Sequence, residues 1–363
     1  MKIGVLTKRY YTGKDLLKDR YGRLYHLPKA WAGLGAEVEV IALDYRTNRE
    51  EEIKNGRMRV RSLPSAKLWS RELSGAVNWL DFNLVVTSGH LNIAHMGLLQ
   101  AKACSLPCVL DVYDYYPAFI GRLHPIFRCY MHYLLSRSDG VMTVSRSLYD
   151  FCRKHSESVE RVPNGVDRQM FCPVEKSMAR ERCDLAARQK YIGLFGSVNR
   201  DLGMEDVLKA LEIVRAHDPT VSLLVAGQGS ERMSEFEGVY HLGLRTQSEV
   251  ALWASACDCL LIPYRQSLQV KYSQSARLAE YLSLERPVVV TRTGDAEAWF
   301  GPDYSGWCDP ASPHSMAEAI MRQLKCCEVN RFPSELEWQS LGRRSYLYLQ
   351  SVVEGRYKSR CFK

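Results

Sequence analysis

The 363-residue sequence predicts an α/β protein of two domains built on parallel sheets. The length suits two domains of ordinary size, and 46% hydrophobic residues suffice for packed cores. The third observation is a strand–loop–helix–strand unit. It runs from Asp258-Cys259-Leu260-Leu261-Ile262-Pro263, through a helix-length segment with Leu278 and Leu282 on one face, to Pro287-Val288-Val289-Val290. Such a unit is the βαβ building block of parallel sheets. Ligands of these sheets sit at the carboxyl ends of strands, where helix N-termini point. An anionic phosphate there meets free N–H groups and the positive end of the helix dipole. Arg277 lies near that end. Glu280, one turn in, can accept two hydrogen bonds from neighbouring hydroxyls, as a ribose offers.

In the first half, residues 2–6 read as a strand. No Gly-x-Gly-x-x-Gly follows it, which argues against a dinucleotide dehydrogenase. A polar loop from Thr7 to Arg20 carries Lys8, Arg9, Tyr10, Tyr11, Lys14 and Lys18. Tyr21-Gly22-Arg23-Leu24 then leads into a helix with Pro28 near its start. Residues 38–43 are the second strand, and residues 58–63 alternate apolar and basic side chains, as a half-buried or edge strand does. Residues 84–87 form a buried strand ending at Ser88-Gly89-His90, so His90 either contacts a ligand at the strand's carboxyl end or is a structural histidine. Residues 108–112 lead to Tyr113-Asp114-Tyr115-Tyr116, where Asp114 either orients a ligand hydroxyl or caps the next segment. Residues 139–144 are another buried strand, Ser145 is a helix N-cap, and Pro163-Asn164-Gly165-Val166-Asp167 is a turn closing the domain.

In the second half, residues 168–188 read as linker plus helix, and residues 191–195 as the next strand. In the loop after it, Gly196 allows close backbone approach to a phosphate. Arg200 there is either a phosphate-binding cation or a surface arginine. Residues 204–216 are helical, 222–226 a strand with the turn Gly227-Gln228-Gly229, and 239–242 a short strand. Thr246 caps a helix reaching Ala256. Arg265, Lys271 and Arg277 cluster around one strand-to-helix crossing, and three cations suit a diphosphate. Residues 335–353 form a long final helix.

The net charge is +8, and all of it lies in residues 1–170, which hold 25 Lys and Arg against 17 Asp and Glu. That excess reads as attraction to anionic lipid headgroups or a diphosphate-bearing acceptor, or as a basic solvated surface. No nucleic-acid motif is present, so no nucleic-acid partner is expected. No apolar run is long enough to span a membrane, the first residues read as a strand rather than a signal peptide, and twelve Cys lack metal-ligand spacing. The expectation is a cytoplasmic protein with reduced, mostly buried thiols, possible contact with the inner membrane face being peripheral.

The string Arg277-Leu278-Ala279-Glu280-Tyr281-Leu282 followed by Pro287-Val288-Val289 is similar to a motif of the large retaining glycosyltransferase family numbered four, of the GT-B type. Val162-Pro163-Asn164-Gly165-Val166-Asp167 and Leu224-Val225-Ala226-Gly227-Gln228-Gly229 resemble the same family, and the likeness covers nearly the whole chain. It implies two Rossmann-like domains facing each other across a cleft. Residues 1–168 would bind the acceptor and 169–335 the nucleotide sugar, with 336–363 a helix crossing back and a basic tail. The implied activity is transfer of a hexose, with retention and without metal, from a UDP- or GDP-linked sugar to a saccharide, lipid-linked or small-molecule acceptor; no cofactor is implied beyond that co-substrate. The implied nucleotide-sugar residues are Gly196, Ser197, Arg200, Arg265, Lys271, Ser275, Arg277, Leu278 and Glu280. Arg20, Tyr21, Gly22 and Arg23 would meet the acceptor, with Asp114, His90 and Arg277 at the reacting centre. The chain departs from the family pattern at three places. Tyr272 replaces the first of two spaced glutamates, Gly196-Ser197 and Leu202-Gly203 replace a basic pair, and Tyr113 stands where His is usual. A degenerate GT-B scaffold or binding subunit, and a sugar-nucleotide epimerase, are the alternatives.

Overall fold

The computed structural model describes residues 1–66, 71–198 and 202–361. It divides into two α/β units, Met1–Gly165 with Trp338–Lys363, and Val166–Glu337. Each is built on its own sheet, and both sheets are parallel almost throughout.

The first sheet runs, in spatial order, Val159–Arg161, Gly140–Thr143, Cys108–Val112, Leu84–Ser88, Lys2–Lys8, Glu37–Asp44, Met58–Pro64 and Glu51–Asn55. Only the last pair is antiparallel. Leu84–Ser88 and Cys108–Val112 are buried at every position, because helices cover both faces, and they are accordingly apolar runs rather than alternating ones. Strand Glu51–Asn55 carries no apolar pattern. It is held at the edge by Arg59 on Glu52 at 2.6 Å and Arg9 on Glu51 at 2.6 Å, and it makes Met58–Pro64 the second strand in rather than the edge.

The loop after the first strand is a fixed structure. Tyr10–Tyr11 and Lys14–Asp15 pair as a small antiparallel ribbon. Arg9 is buried beneath it and donates to Asp15 at 2.9 Å, Asp44 at 3.3 Å and Ser62 at 3.1 Å. The following helix is Arg23–Gly33. Pro28 lies in its second turn, past the start the sequence suggests, so the Leu24 carbonyl has no intrahelical donor. Helix Trp338–Cys361 packs on this helix. Trp31 Nε1 donates to Ser345 Oγ at 2.8 Å, His26 stacks on Trp338, and Tyr348 Oη accepts from the Val141 amide at 2.9 Å.

The second sheet runs Val239–His241, Val221–Ala226, Lys190–Phe195, Cys259–Ile262, Val288–Thr291, Trp307–Cys308, all parallel. The two-residue strand Trp307–Cys308 is too short for a sequence pattern to disclose. Helix Ala276–Ser283 buries Leu278 and Leu282, as their spacing predicts, together with Arg277, Ala279 and Tyr281. The Phe195 amide donates to the buried Tyr281 hydroxyl at 3.0 Å, which fastens this helix to the first strand of the unit. Eleven of the twelve cysteines have described side chains; these are unpaired and five of them are buried, fewer than the sequence reading expects.

Gly342 tests the helix packing. A Cβ there would lie 2.2 Å from that of Ala30. Gly342→Val is expected to destabilise the first unit by about 1–3 kcal/mol. An unfolding midpoint equal to the parent's, measured by urea denaturation, would remove this contact from the list of structural determinants.

Candidate functional site

In the second unit, the strand order turns back between Lys190–Phe195 and Cys259–Ile262, and the loops leaving these two strands lie side by side. That is where parallel sheets bind ligands. Glycines permit the approach. A Cβ on Gly203, whose φ is 84°, would stand 1.8 Å from the Pro263 carbonyl oxygen. One on Gly227, at φ 129°, would stand 2.1 Å from that of Gly196. Both positions favour glycine on backbone conformation as well.

Arg277 is buried against this junction. Its Nη2 donates to the Ser197 carbonyl, its guanidinium lies 5.7 Å from the Tyr264 ring centroid, and a Cβ on Gly196 would come within 2.9 Å of its Nε. Nη1 is buried with no hydrogen-bond partner. Among the described residues no carboxylate forms an ion pair with Arg277. A buried guanidinium without one is costly unless an anion completes it. Ser275, at the N-cap of the same helix, does not cap it: its hydroxyl bonds Tyr264 Oη at 2.7 Å, leaving the first helical N–H groups without a side-chain acceptor. Buried cation, tight glycine loops and an uncapped helix start together fit an anionic phosphate group.

The remaining expected residues of this unit fall differently. Arg265 donates twice to Asp206 at 2.7 Å and reaches Glu205 at 3.4 Å, so its charge is already answered and the expected trio of diphosphate cations is not formed. Leu278 is buried in the core, bordering a narrow crevice with Tyr264 and Ser275 rather than standing free to contact a ligand. Gly196 and Ser197 are exposed, and Glu280 is half-buried one turn from Arg277. Arg200 lies outside the described residues. Lys271 is exposed and lines a cavity of about 460 Å³ with Ser267, Val270, Arg292, Thr293 and Gly294, large enough for a sugar. The crevice at Ser275 shares Val270, Thr293 and Gly294 with it. Tyr264, which braces both Arg277 and Ser275, is a site residue that the sequence reading passes over; the only signal was its place directly after a strand.

The first unit has a site of its own at the corresponding turning point, between Lys2–Lys8 and Leu84–Ser88. Arg23 is fully buried there. It grips Asp111 with two hydrogen bonds, Nη2–Oδ1 at 2.6 Å and Nε–Oδ2 at 3.1 Å, and its Nη1 donates to the Val162 carbonyl and Asn164 Oδ1. It therefore has no free surface for an acceptor. It holds the site's floor together instead, correcting the expectation. Gly22, at φ 68°, packs on Tyr11, which stacks with the half-buried Tyr21, while Arg20 is exposed.

Above that floor stand Lys8, His90, Asp114 and the rings of Tyr11, Tyr113 and Tyr116. The Lys8 ammonium is 5.6 Å from the centroids of both Tyr11 and Tyr113, and His90 meets the Tyr116 ring edge-on at 5.6 Å. Burial pulls the Lys8 pKa down, offset in part by Asp114. Burial, and then Lys8, lowers that of His90, leaving a neutral imidazole on an exposed rim. Asp114 keeps a little exposed surface but is enclosed by neighbouring atoms, and desolvation pushes its pKa up to about 6 despite Lys8 and Arg23. The phenols of Tyr113 and Tyr116 make no hydrogen bond of normal geometry. A carboxyl group and an amine beside aromatic faces suit a hydroxylated ligand. Lys8 and Tyr11 belong to the Thr7–Arg20 loop, which the resemblance places against the acceptor; Tyr116 was missed because nothing local in the sequence distinguishes it from a packing residue.

Among the described residues no group of three or more His, Cys, Asp or Glu is placed to hold a metal ion, and no helix is long and apolar enough to cross a membrane.

Residues 23–170 match the family model described as Glycosyltransferase Family 4, and residues 189–326 the model described as Glycosyl transferases group 1. No curated protein sequence matches the chain. Similar solved structures include sucrose-phosphate synthase from Thermosynechococcus elongatus (15% identity, 99% of each chain covered, TM-score 0.71). HepE from Anabaena in complex with UDP-glucose is also similar (13%, 100% of each, 0.67), as is α,α-trehalose 6-phosphate synthase from Burkholderia multivorans (12%, 99% of this chain and 96% of that one, 0.61). At these identities the likeness concerns the fold: two domains of mixed α/β structure with parallel sheets, the GT-B architecture.

The Asp114 environment has a consequence for stability. Its folded pKa of about 6 exceeds the ordinary 3.8, so the folded state keeps a proton that the unfolded chain releases. This contribution is complete below pH 3.8 and is lost as pH rises through 6. Asp114→Asn is thus expected to match the parent at pH 3.5 and to be more stable at pH 8. Identical unfolding midpoints at pH 8 would show that the carboxyl is not desolvated.

Proposed function

Because the chain belongs to the GT-B glycosyltransferases, with family 4 and group 1 domains in tandem, we propose that it moves a hexose from a nucleotide-diphosphate sugar to a hydroxyl of a saccharide, lipid-linked or small-molecule acceptor. Retention of configuration and independence from metal belong to the same reading. The observation that carries it is the Arg277 guanidinium, buried with Nη1 unmatched at the glycine-lined loop junction. Negative charge grows on the departing diphosphate as the glycosidic bond breaks. A cation and helix N–H groups already aimed at that position stabilise it without reorganising. The leaving phosphate oxygen takes the acceptor's proton on the face it vacates, which gives retention. Glu280 accepts hydrogen bonds from the ribose hydroxyls, and Lys271 and its cavity receive the sugar. The acceptor engages the first unit at Asp114 and His90, with Lys8 beside them. Positive charge concentrated in the first half favours an anionic acceptor or an anionic membrane surface.

Release of nucleoside diphosphate from UDP- and GDP-sugars, with a panel of acceptors, tests this reading. UDP-glucose is the first donor to try, since HepE was crystallised with it. Arg277→Ala is expected to lower turnover about 10²–10³-fold with its unfolding midpoint retained, and Glu280→Ala to weaken nucleotide affinity. No release from any donor would point to a scaffold, and donor conversion without acceptor to an epimerase. Wild-type turnover in Arg277→Ala would remove the diphosphate from this position.

A further inference from the structure

The segment leaving the Asp114 cluster has an unusual outer face. A 3-10 stretch, Tyr116–Leu123, breaks at Gly121 with φ 50° and continues as helix His124–Arg137. Its inner side is ordinary: Met131, Leu134 and Leu135 are buried, and the Tyr130 ring meets His95 of helix Leu91–Ala103 at 5.6 Å. The outer side exposes Phe119 by 50%, Leu123 by 49%, Ile126 by 65% and Tyr133 by 45%. Arg122 and Arg137 are exposed beside them, Arg128 is exposed on the other flank of the helix, and Arg137 lies over the Tyr133 ring at 5.4 Å. No acidic residue occurs between Asp114 and Asp139.

We infer that this face docks on a bilayer of anionic lipid, with the helix lying in the interfacial plane, and that the acceptor is accordingly lipid-linked; the acceptor part rests on the function proposed above. Large apolar side chains interleaved with guanidiniums, without a carboxylate, match an interface whose acyl boundary takes the former and whose phosphates take the latter. The arginines' aliphatic stems lie along the apolar surface while their heads reach the headgroups. Charge also argues against a second copy of the chain as the occupant, since a two-fold pairing would set guanidiniums against guanidiniums. Continuity supplies the link to chemistry. Tyr115 Oη bonds His124 Nε2 at 3.3 Å, and Tyr116 is both the first residue of this segment and a wall of the Asp114 cluster. A bilayer under this face lies next to the place where the acceptor hydroxyl would be held.

The test is co-sedimentation of the full chain with vesicles of phosphatidylcholine alone or with 30% phosphatidylglycerol. Wild type is expected to bind the anionic vesicles at least tenfold more tightly. Phe119→Asp with Ile126→Asp should lower that affinity tenfold or more. Arg122→Gln, Arg128→Gln and Arg137→Gln together should abolish the preference for anionic lipid. Parental UDP affinity and unfolding midpoints in these variants exclude misfolding. Equal binding by wild type and variants, or no binding to anionic vesicles, overturns the proposal. So does a dimer in light scattering that Ile126→Asp dissociates. Because UDP release from UDP-glucose in free solution is measured separately, loss of vesicle binding with intact release rejects this surface alone, and intact vesicle binding without release rejects the glycosyltransferase reading alone.

Discussion

A guanidinium can be buried only if something answers its charge, and the two units of this protein answer it in opposite ways. Arg23 is enclosed at the end of the first sheet, and Asp111 meets it with both carboxylate oxygens while Asn164 and the Val162 carbonyl take its remaining donors. Such a pair is internally complete. It ties the strand Cys108–Val112 to the helix that begins at Arg23 and to the turn at Asn164. Arg277 occupies a similar place in the second sheet, but it has a carbonyl, a ring and an unmatched Nη1. The first arrangement is architecture. The second leaves a donor unmatched beside glycine loops and an uncapped helix start, and the diphosphate site proposed above rests on that difference.

The contrast extends to the groups near each arginine. In the first unit charge is balanced locally: Lys8 and Asp114 soften one another, and His90 stays neutral beneath the influence of Lys8. Three tyrosines enclose them with flat aromatic faces. In the second unit Asp206 and Glu205 are taken up by Arg265, and among the described residues no carboxylate pairs with Arg277.

Much of the fold was legible because its signals are local. Leu278 and Leu282 share a helix face, Ser145 caps the helix that follows it, and the apolar runs at 84–87 and 108–112 are strands buried on both sides. Strand Glu51–Asn55 was illegible because its stability comes from Arg59 and Arg9, neither readable as a partner from spacing. The site divided along the same line. Gly196 and Arg277 announce themselves by neighbouring a strand end and a helix start. Arg265 misleads, since its partners lie about sixty residues earlier on helix Met204–His217. Arg23 misleads for the same reason, its carboxylate being 88 residues away. A long cationic side chain advertises charge in the sequence but not what has already claimed it.

The seating of helix Trp338–Cys361 on the first unit has a bearing on biosynthesis. Trp31, Val141 and Ser158 find their partners Ser345 and Tyr348 only on a segment translated after the entire second unit. Until some 170 further residues have been made, the nascent amino-terminal sheet therefore lacks these partners, and the indole of Trp31 lacks its acceptor.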